Sequence, residues 1–301
     1  MEKVKVAVVQ ATPVLFDLAA TVDKICKLLA EAAQNGADLV LFPEAFIPCY
    51  PRALSFGTVV GSRSEEGREL WLQYWNNALD VESQFCKHIS RAVKEAGVHL
   101  CLGVTERVGE SGTLFCSLLF FGPDGRLLGR HSKLKPTAAE RIIWGERDGS
   151  TLKVYDTTIG KIGGLICWEN YMPLARMTLY EQGVEIYLAP TADQRPAWLA
   201  TMQHIALEGR CFVLGCNQFV RKADYPEFLQ TELDGLDEVL CRGGSVIVSP
   251  LGELIQGPLY DREGILYAEL DKRELIRAKM DFDVRGHYHR PDVFEFKWLK
   301  G

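Results

Sequence analysis

Cys167 closes an apolar, glycine-containing run, Lys161-Ile-Gly-Gly-Leu-Ile-Cys167, and is followed by Trp168, Glu169 and Asn170. Such a run reads as a buried strand, and Pro173 with the helix-like stretch Leu174 to Gln182 reads as the helix after it. A thiol at a strand-to-helix junction faces a pocket, and the positive end of the following helix can hold it as thiolate. Two carboxylates and a lysine stand at comparable places. Glu44 ends the apolar run Leu39-Val-Leu-Phe-Pro-Glu44, at the strand edge where open α/β sheets place their ligands. Lys133 and Glu140 lie in His131-Ser-Lys-Leu-Lys-Pro-Thr-Ala-Ala-Glu140, a loop with a short helical turn starting at Thr137. Taken singly, each residue reads as core filler or a solvated charge. Together they supply a soft nucleophile, a base for its proton and a cation for developing negative charge, which are the parts of covalent hydrolysis at an unsaturated carbon. Their titrations are coupled, so the set is treated as a unit.

The elements that must position these groups alternate between strand and helix. Val4 to Ala11 reads as a strand, and Leu18 to Gln34 as a helix that stops at Asn35-Gly36. Ala37 to Phe42 is the next strand; Glu65 to Asn77 and Glu82 to Ala96 are helices, the second closed by Gly97. Val98 to Arg107, Leu114 to Phe121 and Leu127 to His131 are strands, with a turn at Pro123-Asp124-Gly125. Thr151 to Asp156 and Lys161 to Ile166 form a further pair. Beyond Gln182 come a strand Glu185 to Leu188, a helix Pro196 to Glu208 and a strand Cys211 to Gln218. Ser245 to Ser249, Leu254 to Gln256 and Gly264 to Glu269 are late strands, followed by a helix over Lys272 to Lys279. So many strands exceed what one twisted open sheet usually holds, which predicts an α/β fold with two sheets, each covered on one face by helices. The chain is read as one domain over residues 1–301, with a core over about 4–280 and a tail over 281–301. Pro51 to Glu69 and Arg221 to Leu240 look inserted, the latter as an acidic loop.

Composition narrows the function classes. With 301 residues and 47% apolar content the chain can bury a large core. A net charge of -6 carries no nucleic-acid footprint, and no apolar run approaches the length of a membrane span. The N-terminal stretch enters a strand at once, without a basic segment and apolar core ahead of a cleavage site. Nine cysteines, mostly in apolar runs, predict a reducing, cytoplasmic setting. They contain no Cys-x-x-Cys pair, and the glycines form no phosphate-binding fingerprint, so neither a metal nor an organic cofactor is expected. A Cys-His pair would need one of six histidines near the thiol; His131 and His204 are the candidates.

The ordered set of Glu44 in Phe-Pro-Glu, Lys133 in Ser-Lys-Leu-Lys-Pro-Thr, Glu140 in Ala-Ala-Glu-Arg-Ile-Ile-Trp-Gly and Cys167 in Cys-Trp-Glu-Asn resembles the nitrilase superfamily of carbon-nitrogen hydrolases. The likeness runs from Val6-Ala-Val-Val-Gln10 to the Asp281 to Asp292 segment. Cys167-Trp-Glu-Asn170, Ala189-Pro-Thr-Ala-Asp193 and the His204 to Leu214 stretch are similar to the true nitrilase branch, particularly its plant-type and aromatic-nitrile-using members. Ser132 and Arg147 depart from the pattern, where Arg and Gly are expected, and a Pro-Gly-Pro after Asp80-Val81 is absent. The resemblance implies an αββα sandwich and hydrolysis of a small-molecule nitrile to acid and ammonia. Glu44 would be the base, Cys167 the nucleophile giving a covalent thioimidate, Lys133 the cation at the tetrahedral stage, and Glu140 the group that orients Lys133 and water or shares the base role. The alternative is an amidase or acyl transferase on the same residues. The inserts match those by which nitrilases assemble, implying a homo-oligomer, a dimer or a larger spiral. Tyr50, Trp144 and Trp168 stand beside the catalytic candidates, and with Thr191 they form the candidate substrate-binding set.

Overall fold

Alternation along β1 (Lys3–Gln10) explains the layering. Val4, Val6 and Val8 face one way and join Leu39, Leu41, Leu118 and Phe120, together with Ile162, Ile186, Leu188 and Phe212 of a facing sheet. Ala7 and Val9 face the other way, packing with Ile25, Leu29, Ile89 and Val93 of two helices. This is the period of two expected of a strand buried on both faces. Each such side chain taken from water contributes about 1.5–3 kcal/mol. The computed structural model describes residues 2–299; Met1, Lys300 and Gly301, the outer ends of the chain and of its expected tail, lie outside the described residues.

The first sheet has six strands in the order β13-β1-β2-β3-β4-β5, with β2 at Leu39–Leu41, β3 at His99–Arg107, β4 at Leu114–Phe121, β5 at Leu127–Ser132 and β13 at Gly264–Asp271. β1, β2 and β3 run parallel, and β4, β5 and β13 antiparallel to their neighbours. The second sheet runs β10-β11-β9-β8-β7-β6, with β12 also paired to β11. Its strands are β6 Tyr155–Thr157, β7 Gly160–Gly164, β8 Ile186–Pro190, β9 Phe212–Cys216, β10 Phe219–Arg221, β11 Val239–Val248 and β12 Leu254–Tyr260. Here β7, β8 and β9 are the parallel core.

Helices α1 (Leu18–Gln34) and α3 (Gln84–Ala96), with α2 (Glu65–Asn77) between them in the chain, are the first three helices, and α1 and α3 cover the outer face of the first sheet. In α1, Leu18, Thr21, Val22, Ile25, Leu29 and Ala32 form the buried stripe, and Asp17 caps its start by accepting from Ala20 N. α3 ends at Gly97 in the left-handed conformation. Helices α4 (Pro173–Glu181) and α5 (Ala197–Gly209) cover the second sheet, with Leu179, Trp198, Met202 and Ile205 packed against Tyr187, Val213 and Val246. The result is the expected αββα sandwich of two mixed sheets flanked by helices.

Several boundaries differ from the sequence reading; β12, for example, runs to Tyr260 rather than ending at Gln256. The strand expected over Cys211 to Gln218 is β9 and ends at Cys216, because Asn217 and Gln218 leave the ladder and spend their side chains on Asp193, Gly243 and Glu44 backbone oxygens; β10 beyond it has no counterpart in the sequence reading. β11 begins at Val239 rather than Ser245; Gly243 and Gly244, at φ +88° and +117°, break its apolar pattern as the register shifts. The pair around Gly160 is short, since Gly149–Thr151 forms a 3-10 turn and only Tyr155–Thr157 is strand. In the segment read as an acidic insert, Tyr225, Leu229 and Leu233 are buried in the central core.

Candidate active site

Glu44 sits where β2 leaves the sheet and returns. Phe42 N donates to Cys101 O and Phe46 N to Gly103 O, so the chain is docked on β3 on both sides of Pro43-Glu44-Ala45. Gly103 permits the approach: a Cβ there would lie 2.1 Å from the Pro43 carbonyl oxygen. Ala45 adopts φ +44°, which costs a non-glycine residue about 1–2 kcal/mol and aims the preceding carboxylate inward. Gln218 Nε2 donates to the Glu44 carbonyl at 2.5 Å.

Lys133 follows β5 directly, its backbone N donating to Cys116 O at 2.8 Å. Its side chain is fully buried, and Nζ donates to Glu44 Oε1 and Glu140 Oε2, both at 2.7 Å. Glu140 lies in the 3-10 turn Ala138–Ile142, close to where the sequence predicts a turn. Its carboxylate is held by three donors: Lys133 Nζ, Thr137 N at 2.7 Å and Tyr50 Oη at 2.8 Å.

Cys167 opens a single 3-10 turn, Cys167–Tyr171, with its own φ at +53°. Asn170 Nδ2 closes that turn by donating to Leu165 O and Cys167 O. Thr191, just past β8, donates from Oγ1 to Cys167 Sγ at 3.1 Å. Glu169 connects the pieces: its buried carboxylate accepts from Ile166 N at 2.8 Å, from Leu134 N at 2.7 Å and from His131 Nε2 at 3.0 Å. The residues next to Cys167 and next to Lys133 thus hang on one anion.

The electrostatics correct one expectation. The turn intervenes between Cys167 and α4, and burial pushes the thiol up, with Glu44 adding to it and Lys133 opposing. Burial and Glu44 thus favour the thiol over a thiolate held by a helix end, so the nucleophile calls for a base. Burial likewise raises Glu44 above the usual carboxylate range, partly offset by Lys133 and by the Cys167 thiol. Burial works against the Lys133 ammonium, yet Glu44, Cys167, Cys116 and Glu140 together hold it well above an ordinary lysine. Glu44 Oε2 is buried and without a hydrogen-bond partner among the described residues, so it is the open acceptor for a thiol or water proton.

The thiol and Glu140 border a cavity of about 360 Å³ whose wall includes Tyr50, Arg52, Trp168 and Arg195. Of the candidate substrate-binding residues, Tyr50 and Trp168 are on that wall, Thr191 is on the sulfur, and Trp144 is buried behind it, 5.8 Å from the Tyr50 ring and 5.6 Å from Lys133 Nζ. Trp168 is fixed by Asp193, which accepts from its Nε1 at 2.9 Å, and by Arg195 over its ring at 4.6 Å. Sequence reasoning missed Arg52, Arg195 and the tie made by Glu169, since a loop arginine or a second acid after the nucleophile carries no pattern of its own. His131 is engaged by Glu169 and Thr151, and His204 is exposed beside Glu208; neither is a partner of the thiol among the described residues. Among those residues no group of three or more His, Cys, Asp or Glu is placed to hold a metal. A larger cleft of about 600 Å³ between α1 and α3 contains none of the four reactive groups.

A family profile described as carbon-nitrogen hydrolase matches residues 5–280. The chain is 52% identical over 296 residues to a bifunctional nitrilase/nitrile hydratase of Lupinus angustifolius, covering 96% of this chain and 84% of that one. It is 50% identical to an aliphatic nitrilase of Sinorhizobium fredii, covering 98% and 95%. The fold is shared with a carbon-nitrogen hydrolase of Helicobacter pylori at TM-score 0.74 and 20% identity, over 98% of this chain and 99% of that one. Saccharomyces cerevisiae Nit3 superposes at TM-score 0.70 and 19% identity, over 96% and 97%.

Proposed function

Because the chain belongs to the carbon-nitrogen hydrolase family, we propose that it is a nitrilase, converting an organic nitrile and two waters to a carboxylic acid and ammonia. The observation that carries this reading is the buried thiol with an open carboxylate oxygen and a doubly anchored ammonium around it. Relatives of about 50% identity named as nitrilases favour nitriles over the amidase or acyl-transferase alternative.

Cys167 Sγ forms the bond to the nitrile carbon while its proton passes through Glu44 to the nitrile nitrogen, giving a thioimidate. Glu44 then takes a proton from water as it adds to the same carbon. The tetrahedral centre places negative charge near Lys133, whose ammonium is already fixed by two carboxylates and needs no reorganisation. With a proton supplied to nitrogen, the C–N bond breaks and ammonia leaves. The resulting thioester takes a second water, the C–S bond breaks, and the acid departs as the thiol is restored. Tyr50 and Thr137 keep Glu140 aimed at Lys133, and Tyr50 and Trp168 line the entry for the organic group.

The family match over 5–280 supports reading the chain as one catalytic domain followed by the 281–301 tail. Homo-oligomerisation, at least to a dimer, belongs to the same reading; exposed Tyr171 and Met172 just before α4, Leu174 on α4 and Leu207 on α5 support an apolar contact there. Eight buried free cysteines support a reducing, cytoplasmic setting; among the described residues no helix is long and apolar enough to cross a membrane. The test of the reaction is product analysis over time on a panel of nitriles and their matching amides. Carboxylic acid with ammonia from nitriles, and much slower turnover of free amides, is the expected result. Turnover of amides with every nitrile untouched assigns the chain to amide cleavage instead.

A further inference from the structure

Strand β4 supplies the floor beneath the reactive groups. Leu114, Cys116, Leu118 and Phe120 alternate onto its inner face and lie in the central core. The carbonyls of this strand hold two loops of the site: Cys116 O accepts from Lys133 N, and Leu114 O accepts from Gly145 N just past the turn that carries Glu140, both at 2.8 Å. Three of the four inward side chains are hydrocarbon. The fourth, Cys116, is buried with its Sγ 3.6 Å from Glu44 Oε1, a hydrogen-bonding distance for the larger sulfur atom. The contact falls on the oxygen that also accepts from Lys133 Nζ at 2.7 Å, whereas Oε2 has no partner among the described residues. Two donors on one carboxylate oxygen and none on the other is an asymmetry that packing does not require.

We propose that Cys116 is a positioning residue for the base: by donating its S–H to Oε1 it fixes the rotation of the Glu44 carboxylate and leaves Oε2 to take the proton of the Cys167 thiol or of water. This rests on the reading of Glu44 as the base and adds a residue to it. The two oxygens of a lone carboxylate are interchangeable by rotation about its last bond. Lys133 alone does not settle which one faces the nucleophile, because an ammonium with three donors on a flexible stem follows either oxygen. A donor on a one-carbon stem, carried by a strand, does settle it. Cys116 keeps its proton throughout, since burial and the nearby Glu44 charge push its thiol well above an ordinary cysteine. No bond to it forms or breaks, and it is not among the residues lining the cavity that Cys167 borders.

The test compares Cys116→Ala, which deletes the donor, with Cys116→Ser, which keeps an O–H donor on the same stem, in a pH series of kcat and KM on a nitrile that the wild-type enzyme hydrolyses. Lys133, Glu140, Tyr50 and the Cys167 thiol also face Glu44, and both variants leave them in place. Losing a donor disfavours the ionised carboxylate, so in Cys116→Ala the acid limb of kcat/KM moves to higher pH by about half a unit. On the plateau kcat falls about three- to tenfold with KM little changed, as loss of one hydrogen bond at the base predicts. Cys116→Ser returns both quantities most of the way to wild type. Cys116→Val fills the space without a donor; it shares the shift of the alanine variant and serves where that variant is unstable. An acid limb unmoved in the alanine and valine variants, or a serine variant as impaired as they are, makes Cys116 a packing residue and overturns the inference while nitrile hydrolysis stands. A wild-type enzyme that cleaves amides and leaves nitriles untouched overturns the nitrilase reading alone, and the same series is then read on the amide. Undiminished turnover in Glu44→Gln removes the base and this inference with it.

Discussion

Replacing Lys133 with methionine removes a cation that two carboxylates share and leaves the shape of the site nearly unchanged. Lys133 is fully buried and its Nζ lies 2.7 Å from both Glu44 and Glu140. Deleting one partner of a buried charge cluster costs about 3–5 kcal/mol, because the remaining charges stay out of water without a counter-ion. At about 2.1 cal/mol/K per residue, unfolding a chain of this length carries an entropy of roughly 0.6 kcal/mol/K, so Tm is expected to fall by about 5–8 °C. The sign of the pH dependence is fixed. Glu44 already holds its proton more tightly than an ordinary glutamate, and more tightly still without Lys133. The folded variant then binds more protons than the unfolded chain, so its stability falls as pH rises through the folded value and the deficit narrows toward acid. Scanning calorimetry of both proteins between about pH 5 and 8 reads this directly. Combining Lys133→Met with Glu44→Gln and Glu140→Gln neutralises the cluster and restores most of the lost Tm, while nitrile turnover stays abolished. An unchanged Tm in Lys133→Met at neutral pH, or a deficit that widens toward acid, refutes the buried charge triad.

Glu169→Gln keeps the volume but offers one acceptor oxygen to Ile166 N, Leu134 N and His131, so kcat is expected to fall about 10–100-fold with KM little changed; an equal rise in KM would show that the residue shapes the binding cavity instead. Cys167→Ala is expected to fold and to lose essentially all turnover, and intact-mass analysis of quenched wild-type reactions should show an acyl adduct that the variant lacks. Since Glu44 must be unprotonated to accept the thiol proton and burial raises its value, the acid limb of kcat/KM should lie above the ordinary carboxylate range near 4.5 and vanish in Glu44→Gln. A limb at or below that range argues for another base.

The parts of this site that a sequence displays are those set by strand ends. Glu44, Cys167 and Thr191 each lie just past a parallel strand, β2, β7 or β8, whose apolar run is visible as such, and Lys133 follows β5 in the same way. Trp144 shows the limit: its neighbourhood to Glu140 in sequence made it a pocket candidate, but the turn Ala138–Ile142 carries it behind Tyr50, where it supports Lys133 from below the cavity. Arg52 shows the converse, since its partners Ala192 and Tyr225 are far along the chain and lie on elements that only the sandwich brings together. Long-range pairings of this kind leave no periodicity to read. The end of β9 at Cys216 is hidden for a related reason: only the roles of Asn217 and Gln218 at Asp193 and Glu44 explain why the ladder breaks there, before the short strand β10.

The backbone marks the site independently of any comparison. Ala45, Ala138 and Cys167 all have positive φ, at +44°, +47° and +53°; Cys167 is the nucleophile, Ala45 follows Glu44, and Ala138 lies two residues before Glu140. None is glycine, so together they store about 3–6 kcal/mol of conformational cost. Glycine would relieve it, yet at Cys167 it would remove the thiol, and at Ala45 and Ala138 it would free the loops that aim Glu44 and Glu140. The same few residues also bury a lysine, two glutamates and a thiol that burial disfavours as anion, which no packing argument would select. Rules of backbone and of charge are broken together at this site, although five other non-glycine residues, Phe16, Ala53, Phe56, Arg210 and Asp261, also have positive φ. Tightly packed flanks make this tolerable: Phe42 and Phe46 are fully buried on either side of Glu44, and Ile166 lies beside Cys167 in the central core. The strain is therefore held by burial on each side of a reactive residue, so that the thiol, the open carboxylate oxygen and the ammonium meet before any substrate arrives.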